Sequence, residues 1–273
     1  MALITLTSDI GQKDYLVGAL KGQLAQINPA FNIMDISHEL SPFNYPQAAY
    51  VCRNAIRNFP AHTYHIILVN LFEKKPEQLL LAFHNDQYLL CADNGLLTMI
   101  LEGRPEMVIG LPLDKTSVKN TLYCVGVMGR AIQSLIDGNS LLGIGLPDPV
   151  FMEKNHLRPV FGDNWIEGQI IFIDAFENVI VNITREEFEE RRKGRSFRLV
   201  FKRDEVIEKI SETYADVGEG EKLALFNSAG YLEIAIQKGN AAGLFGLQDF
   251  TEQSQNQYLQ SRLFYQTVRV YFE

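Results

Sequence analysis

Asp9 and Asp14 flank the segment Ile10–Lys13, between an apolar run (ALITLT, residues 2–7) and a helical pattern with Leu16, Leu20, Leu24 and Ile27 on one face. Two carboxylates at a strand-to-helix turn have two available roles. They can cap the helix and favour its positive end, each for about 1 kcal/mol or less, or they can face a crevice as acceptors for hydroxyls or an ammonium group. Asp35 and His38, in DISHELSP, follow a second apolar run and could act as acid and base. No nucleophile signature accompanies them, so a structural hydrogen-bonding pair is the expected role. Asp174, Phe176 and Asn178 interrupt two apolar runs in IDAFENVIVNI, and Asn227, Ser228 and Gly230 precede a run bearing Glu233. Those residue types are also what tight turns use. The five histidines have no metal-ligand spacing. Dinucleotide, phosphate-loop and Gly-x-Ser-x-Gly signatures are absent, so neither a metal nor a cofactor is expected.

The surrounding pattern assigns these residues to elements. A strand at FNIMDI, a helix opened by Asn44 and Pro46 and carrying Ala49, Cys52 and Ile56, and a strand over Tyr64–Val69 continue a β-α-β-α-β order. The third strand delivers Asn70 and the charged segment LFEKKPEQ to its carboxyl end, where open α/β sheets place ligands. Residues 79–83 and 88–91 read as a hairpin and residues 119–136 as a helix. Pro147, Pro149, Pro159 and the stretch GDNWIEGQ suit a connection. Beyond it GQIIFID, NVIVNI, SFRLVF, KLALFN, YLEIAI and the tail FYQTVRVYFE are strand-like, interrupted by a helix at 184–194 whose start, Thr184 with Glu187, is a capping box. The expected fold is an α/β N-terminal domain (1–150) with a mixed, largely parallel sheet, a linker (151–165), and a smaller all-β, barrel-like C-terminal domain (166–273).

Composition narrows the function classes. A net charge of −8, from 25 basic and 33 acidic residues, gives no general attraction for nucleic acid or anionic lipid. The opening MALITLTSDIG lacks a signal peptide's basic start and long apolar region, no run reaches the ~20 apolar residues of a membrane span, and a cytoplasmic location is expected. Cys52, Cys91 and Cys124 are odd in number and far apart, which suits buried thiols better than disulfides or zinc.

Several blocks, in one order along nearly the whole chain, resemble the S-adenosylmethionine hydroxide adenosyltransferase family, which includes fluorinating and chlorinating enzymes. The blocks are LTSDIGQKDYLVGALKGQLAQINP, DISHELSPFNYPQAAY, CADNGLL, IDAFENVIVNI and NSAGYLEIAIQKGNAAGLFGL. The resemblance implies an α/β domain plus a β-barrel, a homotrimer with ligand sites between subunits, and attack by hydroxide or halide on the ribose C5′ of S-adenosylmethionine with loss of methionine. No cofactor is implied, because the sulfonium already leaves readily; the protein aligns and desolvates the nucleophile. By position, the resemblance makes Asp9 an acceptor for the ribose hydroxyls and gives the methionine ammonium to Asp14 and Asp174. It puts Phe43 beside the ligand, Asn178 at adenine and Ser228 at the methionine end.

The resemblance breaks after the third strand. Hydroxide-using relatives carry an Asp-Pro-Gly-Val-Gly segment there, an Arg seven residues after that Asp, and a His further on. The corresponding positions here are Asn70, Glu77 and Tyr123. An amide cannot act as a carboxylate base, an anion replaces a cation, and a phenol with an ordinary pKa near ~10 replaces an imidazole. Three readings follow: cleavage of S-adenosylmethionine through a rebuilt nucleophile site using Tyr123, Asn70 or Glu73; a protein that binds S-adenosylmethionine, adenosine or a related nucleoside without turnover; or an unrelated ligand on an inherited fold.

Overall fold

Near-continuous apolar runs build the central strands of the first sheet. In a computed structural model, which describes residues 2–202, 205–247 and 266–273, the chain divides into two compact units, Met1–His156 and Leu157–Glu273. The first contains β1 (Leu3–Ser8), α1 (Leu16–Ile27), β2 (Asn32–Ser37), α2 (Tyr45–Ile56), β3 (Tyr64–Leu68), β4 (Gln78–His84), β5 (Gln87–Ala92), α3 (Leu96–Leu101), β6 (Met107–Pro112), α4 (Thr121–Ile136) and β7 (Leu146–Pro147). Its strand order is β2-β1-β3-β5-β4-β6-β7. Parallel pairing joins β2, β1, β3 and β5, and antiparallel pairing joins β5, β4, β6 and β7. The sheet is mixed, as the sequence implied.

Both faces of this sheet are covered because its strands are apolar on both. Ile4, Leu6, Ile66, Leu68 and Leu90 pack with Leu20 and Leu24 of α1 and Val125 and Met128 of α4. Ile67, Leu80, Leu89 and Cys91 face Ala48, Ala49 and Cys52 of α2 and Leu97 of α3. Asn44 caps α2 by accepting from the Gln47 N–H, with Pro46 in the first turn. The three cysteines are buried and unpaired; burial pushes the Cys52 thiol up to about 12 and Cys124 up to about 11.

One buried group makes the fold acid-sensitive. His65 on β3 is fully buried, with Nδ1 2.7 Å from Thr5 Oγ1 and Nε2 unpartnered. Burial pushes its imidazole down to about 4. The unfolded chain takes up a proton below its ordinary value near 6.5, whereas the folded chain does so only near 4. Stability is therefore present above the upper value and lost as pH falls through this window, by about 2 kcal/mol at pH ~5. Urea unfolding across the window should show this slope in the native protein, and a flatter one in His65→Phe. Equal slopes would contradict it.

The second unit contains β8 (Val160–Phe161), β9 (Trp165–Ile173), β10 (Val179–Thr184), α5 (Arg185–Arg192), β11 (Phe197–Lys202), β12 (Glu205–Ile207), β13 (Lys222–Phe226), β14 (Tyr231–Ile236), α6 (Ala241–Phe245) and β15 (Thr267–Phe272). The antiparallel order is β12-β11-β15-β9-β10-β14-β13, with β8 on β9. A bridge from Ile210 to Ala224 brings the two ends of this path together, so the sheet is barrel-like and nearly closed. Phe188 of α5 fills its interior with edge-on contacts to Phe197, Phe226 and Phe272. The expected capping box at Thr184 and Glu187 is present. Of the expected tail strand, Phe264 and Tyr265 lie outside the described residues. Among the described residues no helix is long and apolar enough to cross a membrane.

Candidate active site

Parallel pairing brings the carboxyl ends of β2, β1, β3 and β5 to one edge of the first sheet. Asp9, His38, Asn70 and Asp93 lie just beyond those ends, where α/β sheets bind ligands. Asp9 Oδ2 accepts the Asn70 N–H at 2.8 Å. Burial holds its carboxyl above the usual carboxylate value, against the opposing effect of that N–H. Asp9 therefore does not cap α1, correcting one of its two expected roles. The helix follows Tyr15, which makes no side-chain cap, and the exposed Asp14 takes the Leu16 N–H at 2.9 Å.

Asn70 presents its N–H to Asp9 because its backbone is left-handed, at φ 48°, a region asparagine tolerates. Its Oδ1 accepts the Phe43 N–H at 2.9 Å, while its Nδ2 is buried without a partner. Phe43, also left-handed at φ 64°, leaves its ring exposed. Asn94 fixes this corner from behind: its Nδ2 donates to the carbonyls of Val69 (2.9 Å) and Asn70 (3.2 Å), and its Oδ1 takes the Leu96 N–H (3.1 Å).

A cavity of about 340 Å³ opens here, lined by Asn70, Glu73, Glu77, Asp93 and Asn94 among others. Glu73 Oε2 accepts the Tyr45 hydroxyl and lies 3.7 Å from Lys154 Nζ. That ammonium sits 3.5 Å from the centre of the Tyr45 ring. Burial and the Glu73 charge both push the Tyr45 phenol up, so it remains a neutral donor. The Asn70 amide is close enough to ease that shift but is not aligned as a hydrogen bond.

Lys154 is held by the turn after β5. The Thr98 hydroxyl accepts the Lys154 N–H (2.9 Å) and donates to its carbonyl (2.8 Å). Gly95, at φ 89°, leaves room for the lysine stem; a Cβ there would stand 2.5 Å from Lys154 Cγ. Asp93 takes the Met152 N–H (2.7 Å) and the Gln78 amide (3.1 Å). The Asp-Asn-Gly turn thus fastens residues 150–154 to the cavity, a role its sequence did not disclose.

The other expected residues are placed as follows. Glu77 lines the cavity with Asn70. Tyr123, in the first turn of α4, accepts the Asp114 N–H through its hydroxyl (2.9 Å) and is not among the lining residues. His38 is buried, with Nδ1 2.7 Å from Ser8 Oγ and Nε2 3.2 Å from Asp35 Oδ1, the latter without hydrogen-bond alignment. Burial would raise the Asp35 carboxyl, but Lys21 at 2.6 Å and His38 outweigh it and hold it below the usual value. This is the expected structural network.

In the second unit Asp174 organises the break between β9 and β10. Its Oδ1 takes the N–H groups of Phe176 and Asn178, each at 2.9 Å, and its Oδ2 takes the Asn178 side-chain amide at 3.1 Å. Asn227 shapes the turn carrying the exposed Ser228 by accepting from Ala229 (3.0 Å) and Tyr231 (3.1 Å). The buried Glu233 accepts the Tyr214 hydroxyl at 2.6 Å. Burial raises its carboxyl despite that bond, and the charge of nearby Asp174 raises it further. Such an acidic pair suits a cationic ligand group.

An α/β unit with its polar groups at the strand carboxyl ends, followed by a nearly closed antiparallel unit, defines a two-domain α/β-plus-β protein. Residues 4–145 match the SAM hydroxide adenosyltransferase N-terminal domain and residues 168–252 the C-terminal domain, and the chain belongs to this family. It is 27% identical to an (R)-S-adenosyl-L-methionine hydrolase of Methanocaldococcus jannaschii, covering 90% of this chain and 92% of that protein. A hydrolase of the same name from Thermus thermophilus is 26% identical, with 91% and 97% covered. A fluorinase of Nocardia brasiliensis is 25% identical, with 89% and 91% covered. The crystal structure of an uncharacterized conserved protein from Thermotoga maritima shares the fold, with a TM-score of 0.81 at 24% identity over 98% and 99% of the two chains.

Proposed function

We propose that this chain binds S-adenosylmethionine and cleaves it with water at the ribose C5′, giving adenosine and methionine. The observation that carries the reading is Asp9: a partly desolvated carboxylate at the carboxyl end of β1, steadied by one backbone N–H and with acceptor capacity left for a ribose diol. Names of relatives support the substrate class, since proteins covering this chain almost end to end are called (R)-S-adenosyl-L-methionine hydrolases. In this reading Asp14 and Asp174 hold the ammonium, Phe43 lies along the ligand, Asn178 meets adenine and Ser228 meets the methionine end. The trimer belongs to the same proposal, and light scattering tests it.

Binding without turnover is the second reading. It is favoured by one observation: Asn70 and Tyr123 are engaged in holding backbone, through Phe43 and Asp114. Incubation with S-adenosylmethionine followed by chromatography separates the two. Adenosine and methionine above the protein-free control support cleavage. Saturable calorimetric binding with intact ligand supports the sensor, and absence of binding contradicts both.

A further inference from the structure

We propose that Glu73 is the group that takes the proton from the attacking water, with Tyr45 and Lys154 as its positioning residues. The inference rests on the hydrolytic reading above and names the base that the sequence comparison left vacant. Asn70 cannot serve, since a neutral amide is far too weak a base, and its oxygen already accepts the Phe43 N–H. Asp9 is the acceptor for the ribose diol in that reading, and Tyr123 is a phenol committed to Asp114.

Glu73 differs from each of these. It lines the cavity beside Asn70, and only one of its oxygens, Oε2, is taken by the Tyr45 hydroxyl. Among the described residues Oε1 has no hydrogen-bond partner and is free to meet a water. Lys154, 3.7 Å from Oε2, draws that oxygen by its opposite charge and so helps fix the direction in which Oε1 points. The positions are constructed: Thr98 clasps the Lys154 backbone, Gly95 makes space for its stem, and Tyr45 opens α2 directly after its Asn44 cap. Asn70 Nδ2, buried and unpartnered at the same corner, supplies an unused donor for the water oxygen.

In the step, water oxygen forms a bond to C5′ as one of its protons passes to Glu73 Oε1. The C5′–sulfur bond breaks, and its electron pair stays on sulfur as the thioether of methionine. The proton then leaves Glu73 for solvent, so the positive charge of the sulfonium is released as a proton.

The test measures adenosine formation and S-adenosylmethionine affinity in the full-length native protein and in Glu73→Gln, Glu73→Ala and Tyr45→Phe. Loss of a positioned base is expected to lower kcat by about a hundredfold or more in both Glu73 variants, with Kd within about twofold of native. Tyr45→Phe should lose about tenfold in kcat at unchanged affinity, because it only orients the base. Added formate should restore part of the turnover of Glu73→Ala and none of that of Tyr45→Phe. If the native protein turns over and Glu73→Gln or Tyr45→Phe keeps the native rate, the inference is overturned and hydrolysis stands. Should the Glu73 variants fold poorly, Tyr45→Phe decides alone. Native protein that binds without turnover overturns both the inference and the cleavage reading, and native protein that does not bind overturns the ligand assignment itself.

Discussion

Replacing Asp9 by asparagine is expected to raise the melting temperature at neutral pH while weakening S-adenosylmethionine binding by about ten- to a hundredfold. The two effects have one cause. Burial lifts the folded carboxyl above its ordinary value near 3.8, so the folded chain holds that proton more tightly than the unfolded chain. The resulting stability is fully present below the ordinary value and lost as pH rises through the folded one, which leaves the ionised carboxylate as a net cost at neutral pH. Asparagine retains an oxygen for the Asn70 N–H but loses the charge that strengthens a bond to a ribose hydroxyl. Melting curves and calorimetric titration read the two effects separately. A drop in both would make Asp9 a structural tie, and unchanged affinity would remove it from the site.

Asn94→Ala is expected to cost about 3 kcal/mol of stability and to loosen the cavity corner. The side chain is buried and makes three hydrogen bonds, two to the carbonyls of Val69 and Asn70 and one from the Leu96 N–H. Each buried group left unpaired costs about 1–3 kcal/mol, partly relieved where water enters from the cavity. Asn94→Asp should be worse still, because it turns an acceptor oxygen toward two carbonyls. Because Asn94 bonds the Asn70 carbonyl, its loss also frees the turn that offers an N–H to Asp9, so ligand affinity should fall together with stability. Chemical denaturation measures this, and a loss below about 1 kcal/mol would show that the corner is held by other contacts.

What the sequence disclosed and what it hid divide along physical lines. Strands β1 and β3 and helices α1 and α2 could be read because apolar periodicity and an Asn–Pro start are local signals. Asp9 could be flagged at a strand end, but its partner could not. The bond to Asn70 spans 61 positions and depends on a left-handed residue in the neighbouring strand's turn. Tyr45 and Glu73 meet across 28 positions; Glu73 stands out in the sequence only as one of three candidates around the altered segment, and Tyr45 has no local pattern suggesting chemistry. Lys154 was still less visible, since it lies in a stretch that read as a connection and reaches Glu73 only because Thr98 and Gly95 receive it. Asp174 carried a signal, a carboxylate before two turn residues, but its occupation by its own turn required coordinates.

Reaction of the native protein with S-adenosylmethionine in water enriched in heavy oxygen, followed by mass spectrometry of the nucleoside, tests cleavage most directly. Attack of water on C5′ requires the new 5′-hydroxyl oxygen to come from solvent, so the adenosine formed should carry one heavy oxygen atom and appear with an equal amount of methionine. Intact S-adenosylmethionine, or only the methylthioadenosine of its spontaneous breakdown, would contradict hydrolysis at C5′ by this chain.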